Sequence, residues 1–314
     1  MQHYRSLEDV SLHNTWLTIG VFDGVHRGHQ EILKRLTAGA HEADAPAVVL
    51  TFYPHPGIVL GRRNDLRYLT PPDEKAALLG GLGVDAVITH PFDKNVAALS
   101  AQAFMSRVQA HLNVRRLIEG YDFALGRGRE GNVTRLTELG ELLGYEVQTI
   151  SPVTNDEEII SSRQIRAHLA AGDVQSAASA LGRYYAVTGP VVHGDGRGKK
   201  INIPTANLDI PAEKVIPANG VYACWAWLGE EKHPAVTNVG IRPTFTPGTA
   251  APNVETHLLD FNRELYGQAM KLELAARLRE EQRFPSAEAL SEQIHKDIER
   301  AREAFKGAAL VRAF

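Results

Sequence analysis

The sequence predicts an α/β half built on a parallel sheet, followed by a β half built as a small antiparallel barrel with a closing helix. Three observations carry this. Apolar runs alternate with helical patterns as far as residue 150. Beyond Gly182 the texture changes to short β-like segments separated by Gly and Pro turns. The chain has 314 residues, more than one core usually organises, so two domains are expected.

In the first half the apolar runs are 17–22, 47–52, 86–89, 116–119 and 146–150. Helical patterns lie between them at 28–43, 73–80, 100–112 and 134–143. Such alternation predicts a parallel sheet with helices on both faces. Ligands then bind beyond the carboxyl ends of the strands. A helical pair comes next at 162–171 and 173–181, broken at Gly172. The β-like segments of the second half are 184–193, 220–228, 233–239, 254–261 and 270–274, a spacing that suggests a barrel. A last helix is expected over 286–305, capped by Ser286 after Pro285. Leu290, Ile294, Ile298, Ala301 and Phe305 form its apolar stripe. The domain boundary falls near Gly182–Arg183, giving domains 1–182 and 183–314.

Charged residues are 23% of the chain and hydrophobic ones 44%, as in an ordinary soluble globular protein. A net charge of −3 argues against general affinity for nucleic acid or an anionic membrane. The single cysteine, Cys224, excludes an internal disulfide and a cysteine-rich zinc site. It lies in an apolar run, reads as a small buried thiol, and fits a reducing cytoplasm. Residues 1–9 are polar with charges of both signs and lack a signal-peptide core. No apolar segment approaches the roughly 20 residues that span a bilayer. A monomer or weak homo-oligomer is the expected state.

The most informative stretch is Gly20-Val-Phe-Asp-Gly-Val-His-Arg-Gly-His29. It joins the first strand to the first helix. His26 and His29 are three apart and share the first helical turn. The unpaired N–H groups and positive dipole end of a helix start suit phosphate. Gly24 and Gly28 leave room for a ligand to approach the backbone. Two imidazoles there can donate hydrogen bonds to a triphosphate and to the charge that grows as pyrophosphate leaves.

Further landmarks reinforce this reading. Thr51-Phe-Tyr-Pro-His-Pro56 ends the second strand, where two prolines around His55 make a stiff loop: a rigid turn, or a wall of the same site. Gly120-Tyr-Asp-Phe-Ala-Leu-Gly126 runs into Arg127-Gly-Arg-Glu-Gly-Asn132, a phosphate clamp or a solvated loop. Ser161 or Ser162 can cap a helix in which Arg166 lies one turn on, an arrangement suited to phosphate. In the second half, Gly194, Gly196 and Gly198 form a glycine-rich loop, with Lys200 just after it. Pro204-Thr-Ala-Asn-Leu208 then places the Thr205 hydroxyl and the Asn207 amide on one side of an extended segment. Neutral oxygens beside a nucleotide suit Mg²⁺. Glu255, His257 and Leu259 alternate onto one face, and Glu255 is either a solvated strand carboxylate or a general base.

Together these segments resemble the bacterial bifunctional riboflavin kinase/FAD synthetases over essentially the whole chain. Asn238-Val-Gly-Ile-Arg-Pro-Thr-Phe245 and Leu265-Tyr-Gly267 add to the match. The resemblance implies a Rossmann-like nucleotidyltransferase domain joined to a six-stranded riboflavin-kinase barrel. It implies that His26 and His29 serve phosphate binding and catalysis, with Gly20, Phe22, Gly24, Gly28, Arg127, Ser161, Ser162 and Arg166 around ATP. Phe52, Pro54, His55, Pro56, Asp122, Phe123 and Arg242 would contact flavin. In the kinase half, Gly194, Gly196, Gly198, Lys200, Thr205 and Asn207 would hold ATP, Thr205 and Asn207 also Mg²⁺, and Glu255 would be the base. Riboflavin, FMN and ATP are the implied small-molecule partners, with FMN and FAD as products. Two positions depart from the usual pattern: Asn202-Ile203 stands where Gly-Phe is usual, and Arg163 where threonine is usual. A single-activity enzyme and a non-catalytic flavin carrier are the alternative readings.

Overall fold

A computed structural model of the chain describes residues 1–63, 65–151, 154–155, 158–194, 203–242 and 251–307. Two compact units meet at Ser161/Ser162.

The first unit is a six-stranded sheet of β1 (Gln2–Tyr4), β2 (Thr15–Ile19), β3 (Ala47–Tyr53), β4 (Ala86–Pro91), β5 (Val114–Gly120) and β6 (Glu146–Ile150). The order is β1-β4-β3-β2-β5-β6, and every pairing is parallel. Strands covered on both faces read as continuous apolar runs, which is why β3 and β4 are legible in the sequence. Val48 and Leu50 point into one core, Ala47 and Val49 into the other. Helices α1 (Arg27–Glu42) and α2 (Pro72–Gly81) cover the second face with Leu33, Leu36, Ala76 and Leu79. Helices α3 (Ala101–Leu112) and α4 (Val133–Leu143) cover the first with Phe104, Val108, Leu136 and Leu139. The chain runs outward from β2 through β3 to β4, then returns to β5 on the other flank of β2. The order therefore switches between β2 and β5, where an open parallel sheet forms its ligand crevice.

Two expectations need correction here. The first strand ends at Ile19 rather than at Phe22. Phe22 (φ 49°), Gly24 (φ 85°) and Val25 (φ 43°) all have left-handed backbone, so 20–25 is a turn and cannot extend a strand. The polar N-terminus, given no element in the sequence reading, supplies the edge strand β1 beside β4.

The second unit begins with α5 (Ser162–Ala171) and α6 (Val174–Leu181). Next comes a barrel of β7 (Tyr185–Val192), β8 (Ala206–Leu208), β9 (Gly220–Leu228), β10 (Glu231–Arg242), β11 (Ala251–Leu258) and β12 (Ala269–Arg279). It closes in the order β7-β8-β11-β10-β9-β12 through antiparallel pairings. Register shifts between β9 and β12 at Val221/Tyr222 and Ala223/Cys224 help the sheet to curve. Cys224 lies fully buried, and burial pushes its thiol up to about 12. Helix α7 (Ala287–Gly307) lies over Val221, Ala223, Val236 and Leu259. Ser286 caps it, Oγ accepting from the Ala289 N–H at 3.2 Å. The buried Asp297 pairs with Arg279 at 2.9 Å and ties the helix to β12.

Candidate active sites

In the first unit, β2 delivers the chain to the switch point and the loop 20–25 turns it into α1. His26 is the N-cap of α1, and its Nδ1 accepts from the His29 N–H at 3.4 Å. An accepting Nδ1 places the ring proton on Nε2, so this nitrogen is the donor. The two rings stack at 3.6 Å, and Phe22 meets His29 edge-on at 5.0 Å. Gly28 faces His26 closely: a Cβ there would lie 3.2 Å from the imidazole and 3.9 Å from the Ile160 carbonyl. That contact also brings the end of the segment before Ser161 to the start of α1. Gly20 lies directly after β2, its N–H donating to the Leu50 carbonyl at 3.0 Å.

The loop is held from below. Asp23, buried, accepts from the N–H groups of Leu69 (3.2 Å) and Thr70 (3.0 Å). Thr51 Oγ1 donates to the Val21 carbonyl at 3.0 Å, which sets the 51–56 loop beside 20–25 at the same sheet edge. Within it Phe52 packs on Phe92 and Phe104, and Pro54 comes after a cis peptide. His55 caps the short helix Pro56–Val59, with Nδ1 accepting from Gly57 at 2.8 Å. Both readings of the stiff loop are thereby compatible: the turn is rigid, and it stands beside the helix start.

The glycine-arginine segment folds as a hairpin of Ala124–Leu125 with Gly131–Asn132. Arg127 is exposed at its tip, and Asp122 is exposed at its base. Phe123 packs against the core on the α3 side. Arg129 donates to the Asp122 carbonyl at 3.0 Å. Ser162 opens α5, and Arg166 donates to its carbonyl at 3.1 Å, one turn back on the same face as expected.

Sequence reasoning missed three groups beneath the first site: Lys75, Glu119 and the carboxylate role of Asp23. Lys75 is buried and donates to the Val21 carbonyl (2.8 Å) and Thr51 Oγ1 (2.9 Å). Burial pushes its ammonium down to about 8, against the pull of Asp23. Glu119 is buried on β5 and accepts from the Ile19 N–H at 2.6 Å. The β2–β5 register runs only to Leu17↔Leu117, so a carboxyl takes the next free strand N–H at the switch point. Burial raises the Glu119 pKa well above the ordinary carboxylate range, opposed by that hydrogen bond. Only a charged residue inside an apolar run could have signalled Glu119.

In the barrel, Asn207 stands directly opposite Glu255, which stands directly opposite Asn238. Directly opposed residues share a face with Cβ atoms about 5 Å apart. Asn207 and Glu255 are therefore neighbours, although they lie far apart in the chain. Glu255 is half-buried, and the Asn253 amide donates to Oε1 at 3.0 Å. His257 Nδ1 donates to the Pro204 carbonyl at 2.7 Å and ties the segment before β8 to β11. Gly194, the first glycine of the glycine-rich loop, lies on Asn207: a Cβ there would collide with its amide. Asn207 is 7% exposed, and its Oδ1 has no hydrogen-bond partner among the described residues. A buried carbonyl oxygen with no partner among the described residues fits a hard cation. A cavity of 380 Å³ opens next to Thr205, lined also by Pro204, Thr256, Leu258, Phe261 and Tyr266. Gly196, Gly198, Lys200 and Asn202 lie outside the described residues, and Arg242 is described only as a strand residue opposite Ala251.

Comparisons with known proteins match this two-site architecture. The family model for FAD synthetase matches residues 8–164, and that for riboflavin kinase matches 181–305. The bifunctional riboflavin kinase/FMN adenylyltransferase of Escherichia coli K12 is 39% identical over 92% of each chain. That of Bacillus subtilis is 36% identical over 91% of this chain and 90% of its own. That of Haemophilus influenzae is 37% identical over 97% of this chain and 99% of its own. A crystal structure described as a macrolide-efflux protein of Streptococcus pneumoniae has a TM-score of 0.88 at 29% identity, covering 96% of this chain and 98% of its own. Among the described residues no helix is long and apolar enough to cross a membrane. With one flavin-forming activity matched on each half and relatives aligned nearly end to end, the chain belongs to the bifunctional riboflavin kinase/FMN adenylyltransferase family.

Proposed function

We infer that the chain makes both flavin cofactors: it phosphorylates riboflavin to FMN and adenylylates FMN to FAD, releasing pyrophosphate. The observation that carries this is the match of both halves, each to its own activity, in relatives that share the full two-domain length. In the assignment of work, residues 1–182 adenylylate and 183–314 phosphorylate. ATP as donor for both steps fits a cytoplasmic enzyme.

In the first step the riboflavin 5′-hydroxyl attacks the γ-phosphorus of ATP, and the bond to ADP breaks. Glu255 accepts the hydroxyl proton, held for this by Asn253. Thr205 and Asn207 would hold Mg²⁺, which neutralises charge on the phosphates when bound. The buried Oδ1 of Asn207, unpartnered among the described residues, supports that placement. In the second step an FMN phosphate oxygen attacks the α-phosphorus of a second ATP, and the bond to pyrophosphate breaks. The nucleophile is already an anion, so the protein's part is positioning and charge stabilisation. His26 donates from Nε2, and the start of α1 adds its N–H groups and dipole. The Thr51–Pro56 loop, with Asp122 and Phe123, supplies the flavin side.

Incubating the protein with riboflavin, ATP and Mg²⁺ and separating the flavins tests the reading. Both FMN and FAD are expected. FMN alone or FAD only from supplied FMN would leave a single-activity enzyme, and neither would leave a flavin carrier.

A further inference from the structure

Lys75 is a lysine where α2 would ordinarily present an apolar side chain. It is 1% exposed, among neighbours such as Ala76 and Leu79 that pack into the sheet. Moving an ammonium out of water costs several kcal/mol unless it is well paired. Its partners show what it holds. It donates to the Val21 carbonyl, two residues past the end of β2, and to Thr51 Oγ1 in β3, and Thr51 donates to the same carbonyl. One ammonium thus clamps two strand ends beneath the loop that carries His26 and His29.

That loop needs holding. Phe22, Gly24 and Val25 have left-handed backbone, and for a β-branched residue such as Val25 this is a strained conformation that persists only where surroundings over-determine it. Asp23 anchors the loop to Leu69 and Thr70, and Lys75 anchors it to β3. The charged and titratable groups around Lys75 are Asp23 of the loop and His3 of β1, with Arg5 and Asp73 flanking His3. Asp23 favours the ammonium, while burial opposes it and sets it near 8.

We propose that Lys75 is a positioning residue for adenylyl transfer, fixing the strained 20–25 loop, and with it His26 and His29, without touching the nucleotide. This rests on the adenylyltransferase reading of the first unit. Losing the Lys75 charge takes a cation away from the buried Asp23 carboxylate, beside a site that must receive phosphates. The full-length protein carries its own control, because the kinase site uses none of these residues.

The test measures FMN adenylylation and riboflavin phosphorylation separately in the parent, Lys75→Met and Lys75→Arg. In Lys75→Met the kcat for adenylylation should fall about tenfold or more, with a smaller change in the KM for ATP, while phosphorylation stays within about twofold. In the parent, adenylylation alone should decline as the pH rises through about 8. Lys75→Arg, which stays charged, should carry that decline to higher pH. Parent-like adenylylation by Lys75→Met overturns the proposal. So does a parent adenylylation rate that stays level through pH 8 and above, a measurement that holds even where a variant fails to fold. A parent that forms no FAD overturns the adenylyltransferase reading itself and the inference with it.

Discussion

Two imidazoles stack at 3.6 Å at the start of one helix in the first unit, and a glutamate lies opposite Asn207 in the barrel of the second; on the proposed reading they serve separate sites. Mutations should therefore separate the activities. His29→Ala is expected to abolish FAD formation and leave FMN formation nearly intact; loss of both in a folded protein would remove the two-site assignment. Glu255→Gln keeps the shape but cannot accept a proton, so FMN formation should fall about 10²–10⁴-fold while supplied FMN is still adenylylated. Near-parental kinase turnover would reduce Glu255 to a solvated strand carboxylate. Glu119 makes a pH prediction. Its folded pKa is raised above the unfolded value, so its contribution to stability is fully present below about 4.5 and is lost as pH rises toward the folded pKa. Glu119→Gln keeps an acceptor for the Ile19 N–H and cannot ionise. Its melting temperature relative to the parent should therefore rise between pH 5 and pH 8, as differential scanning would read; a constant difference would mean that Glu119 does not titrate with folding. The histidines were legible because their chemistry is local, three residues within one turn. Lys75 and Glu119 were not, because their partners lie 54 and 100 residues away and no local pattern records them.

At the scale of elements, the alternation of apolar runs and helical patterns placed five of the six strands in the parallel sheet, most plainly β3 and β4, where burial on both faces writes a continuous apolar signature. β1 escaped since a three-residue edge strand is polar and gains its pairing only from β4. β8 was read only as an extended segment, and it too is just three residues long, defined by its neighbours β7 and β11. The same shortness makes β8 dependent on what packs against it. Gly194 is the contact to probe, because a side chain there meets the Asn207 amide. Gly194→Val should displace Asn207 and cost the kinase about 1–3 kcal/mol of transition-state stabilisation, one well-placed polar contact. FAD formation from supplied FMN should persist. Unchanged kinase kinetics would show that Asn207 does not depend on the start of the glycine-rich loop.

At the scale of the whole molecule, the change of sequence texture and the packing divide the chain at different places. Texture changes after Gly182, and the riboflavin kinase match begins at residue 181. The compact units instead meet at Ser161/Ser162, which assigns α5 and α6 to the barrel's unit. The reason is physical: a helical pair resembles the helices before it in sequence, yet this pair packs with the barrel, α6 lying against β7 and β12. Ile165, Leu169, Ala177, Ala178 and Leu181 are buried. Arg277 of β12 donates to the Ala171 carbonyl at 3.4 Å and to the Asn219 carbonyl at 2.7 Å. The Ala218 N–H reaches the Leu169 carbonyl at 2.9 Å. A fragment cut at 183 would expose the barrel surface under this pair and strip Arg277 of an acceptor. Fragments 162–314 and 183–314 should therefore differ. The longer should unfold cooperatively and phosphorylate riboflavin. The shorter should melt lower, the deleted pair removing several buried side chains worth about 1.5–3 kcal/mol each for the larger ones. Equal melting temperatures would place the folding boundary at 182/183, where the texture changes, and make α5 and α6 a linker that merely rests on the barrel.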